Sequence, residues 1–452
     1  MLIDAEIVYQ IEDFRFTYPE SNQAISWSGE HTIRRGERIL LTGSSGSGKS
    51  TLLYGLMGLI PETVYGKVSG EIKYLGKSIL ENPEKIRGKA GLILQNPAAQ
   101  MLCRSVREEL AYGLENLGKP VKEILEQIEE WSLRFEVEKL LDRETMSLSG
   151  GEKQKITLLS ILLTRPEILM LDEPTAFLDP QSAREIMTII QNYQKDKTLI
   201  FVEHNLGFVS KLITRNLHLR KDGAVLDQAA SEVDWQTHLP HLQEKVPGKR
   251  LMSLSEIRFS YGKEPILNGI NLEIHAEEII AIQGRNGSGK TTLLKIVAGL
   301  KRDFTGKILL EDKQLNNINI NKLREFTGLL FQNPENHFLF NSVEQELKNN
   351  KIKYLEEEFA SKLQQSPFTL SEGEKRRLST AIAYNDEKKI LLLDEPTFGQ
   401  DKDNKLRLIE LLGKLRDEGL GIVIVSHDME FTSAVSNRIF ELKAGKLEEH
   451  TA

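Results

Sequence analysis

The chain has 452 residues, 59 Lys and Arg against 66 Asp and Glu, a net charge of −7 and one cysteine, Cys103. That length suits two or three domains with cores of their own, and an acidic balance with no basic, aromatic-rich cluster argues against a nucleic-acid partner. A single cysteine excludes an internal disulfide framework and suits a reducing compartment; the charged start, Met1-Leu-Ile-Asp-Ala-Glu6, and the lack of an apolar run of about 18 residues argue against a signal peptide or a membrane span, though not against a seat on a membrane protein.

Along the first half, short aliphatic or β-branched runs predict strands at 11–16, 39–42, 90–94, 168–171 and 199–203, alternating with helical stretches such as 122–135 and 151–164. This alternation predicts an α/β fold with a mostly parallel, covered sheet. After the second strand comes Gly43-Ser44-Ser45-Gly46-Ser47-Gly48-Lys49-Ser50, then a helix-like run at 52–59. The segment fits G-x-x-x-x-G-K-[ST], whose glycines let backbone N–H groups wrap phosphates, whose lysine reaches the terminal phosphates and whose hydroxyl ligates Mg²⁺. Further on, Leu148-Ser149-Gly150-Gly151-Glu152 opens a helix, where a hydroxyl and backbone N–H groups make an anion site; alone it would be an ordinary capping box. The strand at 168–171 ends in Asp172-Glu173-Pro174. The first acid can hold Mg²⁺ through water and the second can polarise the water that attacks a γ-phosphate. About thirty residues later Phe201-Val202-Glu203-His204 ends another strand with a histidine. The stretch 221–252 is polar and broken by Pro240, Pro247 and Gly248, which places a domain junction near Pro247 and predicts domains at 1–246 and 247–452.

The second half repeats this order, with strands predicted at 256–259, 279–283, 327–331, 390–393 and 422–426. It carries Gly284-Arg285-Asn286-Gly287-Ser288-Gly289-Lys290-Thr291 before a helix-like run at 293–300, then Leu370-Ser371-Glu372-Gly373-Glu374, Asp394-Glu395-Pro396 and Val423-Ile424-Val425-Ser426-His427. Lys49 and Lys290 lie 241 residues apart, Gln95 and Gln332 237, Ser149 and Ser371 222, Asp172 and Asp394 222, and His204 and His427 223. The second copy has therefore lost 15 residues between its glutamine and its serine. A lone histidine would ordinarily be structural, but recurrence after both acid pairs favours a γ-phosphate sensor.

With these motifs present twice, the chain resembles the ATP-binding cassette (ABC) ATPases over nearly its full length. The resemblance implies two P-loop NTPase cassettes in tandem, each with a parallel sheet core, an antiparallel β subdomain and a helical subdomain, at about 97–165 and a shortened 334–388. It implies ATP and Mg²⁺ as cofactors and an intramolecular head-to-tail pairing, in which the phosphate loop of one cassette faces the Leu-Ser-x-Gly-Glu segment of the other. By that resemblance Lys49 and Lys290 hold phosphates within their loops, followed by Thr51 and Thr292. Ser50, Asp172, Thr291 and Asp394 serve the metal, and Gln95 and Gln332 complete the metal and water site. Glu173 and Glu395 are catalytic bases, His204 and His427 switch histidines, and Tyr18 and Tyr261 stack on adenine. Ser149, Gly150, Gly151, Ser371 and Gly373 engage the nucleotide, as do Asp179 and Asp401 in the loops after the acid pairs.

The segments Gln95-Asn96-Pro97-Ala98-Ala99-Gln100 and Gln332-Asn333-Pro334-Glu335-Asn336-His337 resemble those of energy-coupling-factor (ECF) importer ATPases, with His337 departing from the family's final glutamine. This resemblance implies a peripheral protein on the cytoplasmic face of the membrane, bound to an integral-membrane coupling subunit of the ECF T type and through it to a substrate-binding membrane component. A vitamin, a vitamin precursor or a transition metal ion is the implied cargo. Fusion gives the two cassettes a high effective concentration for each other. The rivals are an ATPase of another importer class, such as sugar uptake, and a soluble tandem-cassette ATPase acting on ribosomes; the short junction and acidic charge disfavour the latter. Two asymmetries are expected. The first cassette should make the larger partner contact, and the site using Lys290 and Glu395 should hydrolyse faster, because Glu372 replaces a glycine in the segment that completes the other site.

Overall fold

The computed structural model describes residues 6–19, 24–176, 178–193, 197–203, 206–233, 239–262, 264–314, 321–348, 358–384 and 388–450. Two compact units emerge, Met1–Thr237 and His238–Ala452, and each holds one 4-stranded and one 6-stranded sheet. In the first unit the larger sheet runs in the order Ala90–Ile93, Ile168–Asp172, Thr198–Val202, Arg38–Thr42, Arg215–Leu219, Val225–Ala229, parallel throughout except for the last hairpin. The second unit repeats that order with Thr327–Leu330, Ile390–Asp394, Gly421–Val425, Ile279–Gln283, Arg438–Lys443 and Lys446–His450.

Central strands such as Ile168–Asp172 and Ile390–Asp394 are buried at every position. Their unbroken apolar runs follow from a parallel sheet covered on both faces. In the first unit Ile39 and Leu41 face one core with Phe14, Trp27, Leu52 and Leu56, while Leu40 faces the other with Leu110, Ile128 and Ile156. Each such buried side chain contributes roughly 1.5–3 kcal/mol of transfer free energy. The antiparallel sheet and the helix Lys49–Leu56 supply the first face, and other helices supply the second.

The strand Ile7–Thr17 pairs with Ile25–Arg34 and with Lys67–Tyr74. It is longer than the 11–16 predicted, and Arg250–Tyr261 is likewise longer than 256–259. Each contains a bulge, where Asp13 and Glu256 take φ of 44° and 52°. The bulge moves the buried set from Tyr9 and Ile11 to Phe14 and Phe16, and from Met252 and Leu254 to Ile257 and Phe259. That shift breaks the period-2 pattern by which a strand is recognised.

The helical region of the first unit comprises Val106–Asn116, Val121–Arg134 and Gly150–Leu163. In the second unit Val343–Leu347 and Glu372–Ala383 are its described helices, and part of the shortened segment, 349–357, lies outside the described residues. The polar stretch 221–252 is not a linker throughout, since Val225–Ala229 closes the first main sheet. From Leu239 onward the chain belongs to the second unit. The Leu239 N–H donates to Glu430 Oε1 at 3.2 Å, the Leu242 N–H to Ala434 O at 2.8 Å and the Gly248 N–H to Ala276 O at 2.7 Å, while Arg416 Nη1 donates to Gln243 O at 2.8 Å. These bonds put the division ahead of Pro247. Among the described residues no helix is long and apolar enough to cross a membrane.

Candidate active sites

Each phosphate loop joins the end of a central strand to a helix, Lys49–Leu56 or Lys290–Val297. Gly43 and Gly284 have φ of 141° and 146°, and a Cβ there would stand 2.3 and 2.6 Å from the carbonyl oxygens of Leu219 and Leu442. Only glycine lets the loop pass so close to the neighbouring strand. Lys49 Nζ donates to Gly43 O and Ser44 O at 2.9 and 3.1 Å, and Lys290 Nζ to Gly284 O and Arg285 O at 2.7 and 2.9 Å. Both ammonium groups are thus held inside the curl of their own loops, and both lysines are buried. The hydroxyls of Ser47 and Ser288 are enclosed with no hydrogen-bond partner among the described residues.

The acid pairs stand at the ends of Ile168–Asp172 and Ile390–Asp394, beside the phosphate-loop strand's neighbour in each sheet. Glu173 and Glu395 adopt φ of 50° and 51°, and their N–H groups donate to Val202 O and Val425 O, each at 2.8 Å. A non-glycine residue in that region costs on the order of 1–3 kcal/mol and persists because its surroundings impose it. The cross-strand bond does this in both cassettes.

In the first cassette Gln95 Nε2 donates to Glu173 Oε2 at 2.9 Å, bringing the predicted glutamine and base together. In the second, Gln332 is exposed and no hydrogen bond joins it to Glu395 among the described residues. There the His427 N–H donates to Glu395 Oε2 at 3.2 Å, and His427 Nε2 lies 3.4 Å from Glu395 Oε1 and 2.9 Å from Asn286 Oδ1 of the phosphate loop. His204 lies outside the described residues. Thr291 Oγ1 donates to Asp394 Oδ2 at 2.8 Å. Burial pushes the Glu395 carboxyl up to about 7 against the pull of Lys290, and burial also raises Asp394. Both shifts follow from taking a carboxylate out of water.

Ser149 caps the helix Gly150–Leu163, accepting from the Glu152 N–H at 3.3 Å while its own N–H donates to Glu152 Oε2 at 2.7 Å. The Ser371 N–H donates to Glu374 Oε2 at 3.2 Å in the same way. Gly373 passes so close to Asn404 that a Cβ would fall 2.6 Å from its side chain. Asp179 and Asp401, expected near nucleotide, are helix caps within their own cassettes: Asp179 accepts from the Gln181 and Ser182 N–H groups and Asp401 from that of Asn404. Tyr18 and Tyr261 pack edge-on against Phe16 and Phe259. The hydroxyl of Tyr18 lies 3.0 Å from Thr51 Oγ1, and the Lys301 ammonium sits 4.2 Å from the centre of the Tyr261 ring.

His337 takes over the accepting bond of the glutamine it replaces. Gln100 accepts from the Leu94 N–H at 2.7 Å and donates to Leu92 O at 2.9 Å, and His337 Nε2 accepts from the Phe331 N–H at 2.9 Å. Leu94 and Phe331 each stand immediately before the motif glutamine. Sequence reasoning passed over Gln154 and Arg376, which brace the acid-pair turns. Gln154 Nε2 donates to Pro174 O at 3.0 Å, whereas Arg376 donates to Glu395 O and Phe398 O at 2.9 and 3.1 Å. The 222-residue offset of the repeat places these two opposite each other, which was the available signal.

An ABC transporter family model matches residues 29–176 and 267–398. "Putative HMP/thiamine import ATP-binding protein YkoD" of Bacillus subtilis (strain 168) is 33% identical over 96% of this chain and 89% of its own. A "Putative ABC transporter ATP-binding protein" of Sulfurisphaera tokodaii is also 33% identical, over 97% of each. Among solved structures, one titled "Model of ribosome-bound archaeal Pelota and ABCE1" covers 96% of this chain and 78% of its own with a TM-score of 0.68, at 19% identity that speaks to fold alone. The chain belongs to the ABC transporter family. It is an ATP-hydrolysing ATPase with two cassettes in one polypeptide.

Proposed function

We propose that this ATPase energises an ECF-type importer from the cytoplasmic face of the membrane, bound to an integral-membrane coupling subunit and through it to a substrate-binding membrane component. The carrying observation is an exposed apolar patch at matching positions of both cassettes. In the first, Leu102 and Met146 are 68% and 83% exposed, on segments joined by Thr145 Oγ1 donating to Cys103 O at 2.7 Å. In the second, Leu339 is 83% exposed beside Phe340 and Phe368, with Phe368 packed on Phe338 at 5.5 Å. Contiguous exposed apolar surface is a mark of partner sites. A twice-presented patch suits a partner with two similar helices.

The similarity to a protein named for HMP/thiamine import favours a pyrimidine vitamin precursor as cargo. The first cassette also exposes Val121, Leu125 and Leu133 on its longer helical region, so it is assigned the larger contact; cross-linking that found the second larger would refute this. Affinity purification of the full chain from its native membrane should recover a polytopic membrane protein. Reconstituted vesicles should then take up labelled hydroxymethylpyrimidine with ATP. Recovery with ribosomes and no membrane protein would overturn the proposal.

At each proposed site the phosphate loop and its lysine bind the triphosphate. Glu173 and Glu395 are assigned as general bases that take the proton from the attacking water, and His427 with Asn286 as the group that holds the second site's water and phosphate in register. The donor set suits Mg²⁺: a hydroxyl already paired with a carboxylate, Thr291 with Asp394, and amide oxygens from Gln95 and Gln332 are hard oxygen ligands. Bound there, the ion would neutralise phosphate charge as the γ-phosphoryl group leaves.

A further inference from the structure

Arg376 sits one turn into the helix Glu372–Ala383, is 2% exposed, and reaches across to the turn that follows the acid pair. Its Nη1 donates to Glu395 O at 2.9 Å, its Nε donates to Phe398 O at 3.1 Å, and its guanidinium lies 5.4 Å from the centre of the Phe398 ring. The same turn is closed by the Phe398 N–H donating to Glu395 O at 3.3 Å. The carbonyl of the candidate base therefore accepts from both the turn and the arginine. In the first cassette the turn is closed by the Ala176 N–H donating to Glu173 O at 3.0 Å, and among the described residues the Gln154 amide donates to Pro174 O and not to Glu173 O.

We propose that Arg376 is a positioning residue for hydrolysis at the second site: its planar fork locks the Glu395–Phe398 backbone onto the helix and so fixes where the Glu395 carboxylate stands. Three observations support this. The guanidinium presents its donors in a rigid plane, so the Glu395 and Phe398 carbonyls are held by two separate, fixed nitrogens, Nη1 and Nε, where an amide or an ammonium has a single nitrogen. Glu395 holds a left-handed φ of 51° that needs outside support. The positive charge also acts on the neighbouring Asp394 and opposes the effect of burial there. A base displaced by about 1 Å loses up to 10²-fold in rate while substrate binding elsewhere is untouched.

The inference rests on Glu395 as the base and not on the identity of the membrane partner. The test is steady-state hydrolysis by the purified full chain, in the wild type and on Glu173→Gln so that turnover reports the second site. Arg376→Gln, which copies the first cassette, should lower kcat roughly tenfold on Glu173→Gln with KM changed less than twofold. Arg376→Lys, which keeps charge but not the fork, should recover only part of kcat. Loss confined to KM, equal loss of kcat and thermal stability that Arg376→Lys fully restores, or unchanged kcat in both backgrounds would overturn the proposal. Glu395→Gln on Glu173→Gln is the control: if it leaves turnover intact, the base assignment fails and this inference fails with it.

Discussion

The two cassettes share a backbone to within small differences at their candidate bases and yet hold those bases by different side chains. Glu173 and Glu395 match in φ and in their 2.8 Å bonds to the adjacent strand. Around them, the first cassette uses the Gln95 amide on the carboxylate, while the second uses the His427 N–H and the Ser426 hydroxyl. The residue matching Ser426 is Glu203, a buried carboxylate that accepts from Thr175 Oγ1 at 2.7 Å. The strained turn is thus alike in the two cassettes, and among the described residues the side chains on its carboxylate differ. Strain of this kind clusters at active sites, and here it recurs at both candidate bases.

The widest test removes both bases. Glu173→Gln with Glu395→Gln keeps shape and polarity but no group that can accept a proton, so turnover should fall roughly 10²-fold or more while ATP still binds. Equilibrium binding of labelled ATP beside steady-state turnover checks this, and near wild-type turnover would refute the assignment. Separated, the two variants sharpen the comparison. Glu395→Gln is expected to cost more activity in the reconstituted transporter than Glu173→Gln: on the pairing that the sequence resemblance implies, Glu372 in place of a glycine burdens the site of Lys49 and Glu173. The reverse order would show that the first site is the faster one.

Acid should slow the second site. With its carboxyl raised to about 7 by burial, Glu395 is protonated below that pH and cannot act as a base. On Glu173→Gln, kcat/KM reports the free second site and should rise about tenfold per pH unit below 7, then level off above it. A profile flat from pH 6 to 8 would rule out this titration.

Motifs and their order were legible because phosphate loops, acid pairs and their flanking strands are local: a few consecutive residues carry both the chemistry and the fold signal. The first strand of each cassette was clipped because the bulges at Asp13 and Glu256 interrupt alternation. The junction was read too late because composition alone cannot tell a free linker from one pinned to a domain by backbone bonds, as residues 239–248 are. Arg376 was passed over although the repeat offset aligns it with Gln154. Its partners, Glu395 O and Phe398 O, are backbone atoms about twenty residues away, so its role shows only in the fold.

The smallest expected effect concerns His337, whose Nε2 accepts the Phe331 N–H and whose proton is therefore on Nδ1. Burial lowers this imidazole to about 4, so it is a neutral acceptor through the physiological range. His337→Ala removes the acceptor and should speed exchange of the Phe331 amide by about fivefold, the equivalent of ~1 kcal/mol for one hydrogen bond; His337→Gln, the first cassette's solution, should leave it near wild type. The pH dependence follows from the same shift. Unfolded, a histidine gains its proton near pH 6.5, whereas folded His337 gains it only near 4, so the wild type loses stability as pH falls from 6.5 to 4 and loses no more from this group below that. His337→Gln has no such group. Protection of the second cassette's amides should therefore fall more steeply between pH 6.5 and 4 in the wild type than in His337→Gln, and parallel curves would show that the imidazole is not held neutral by the fold.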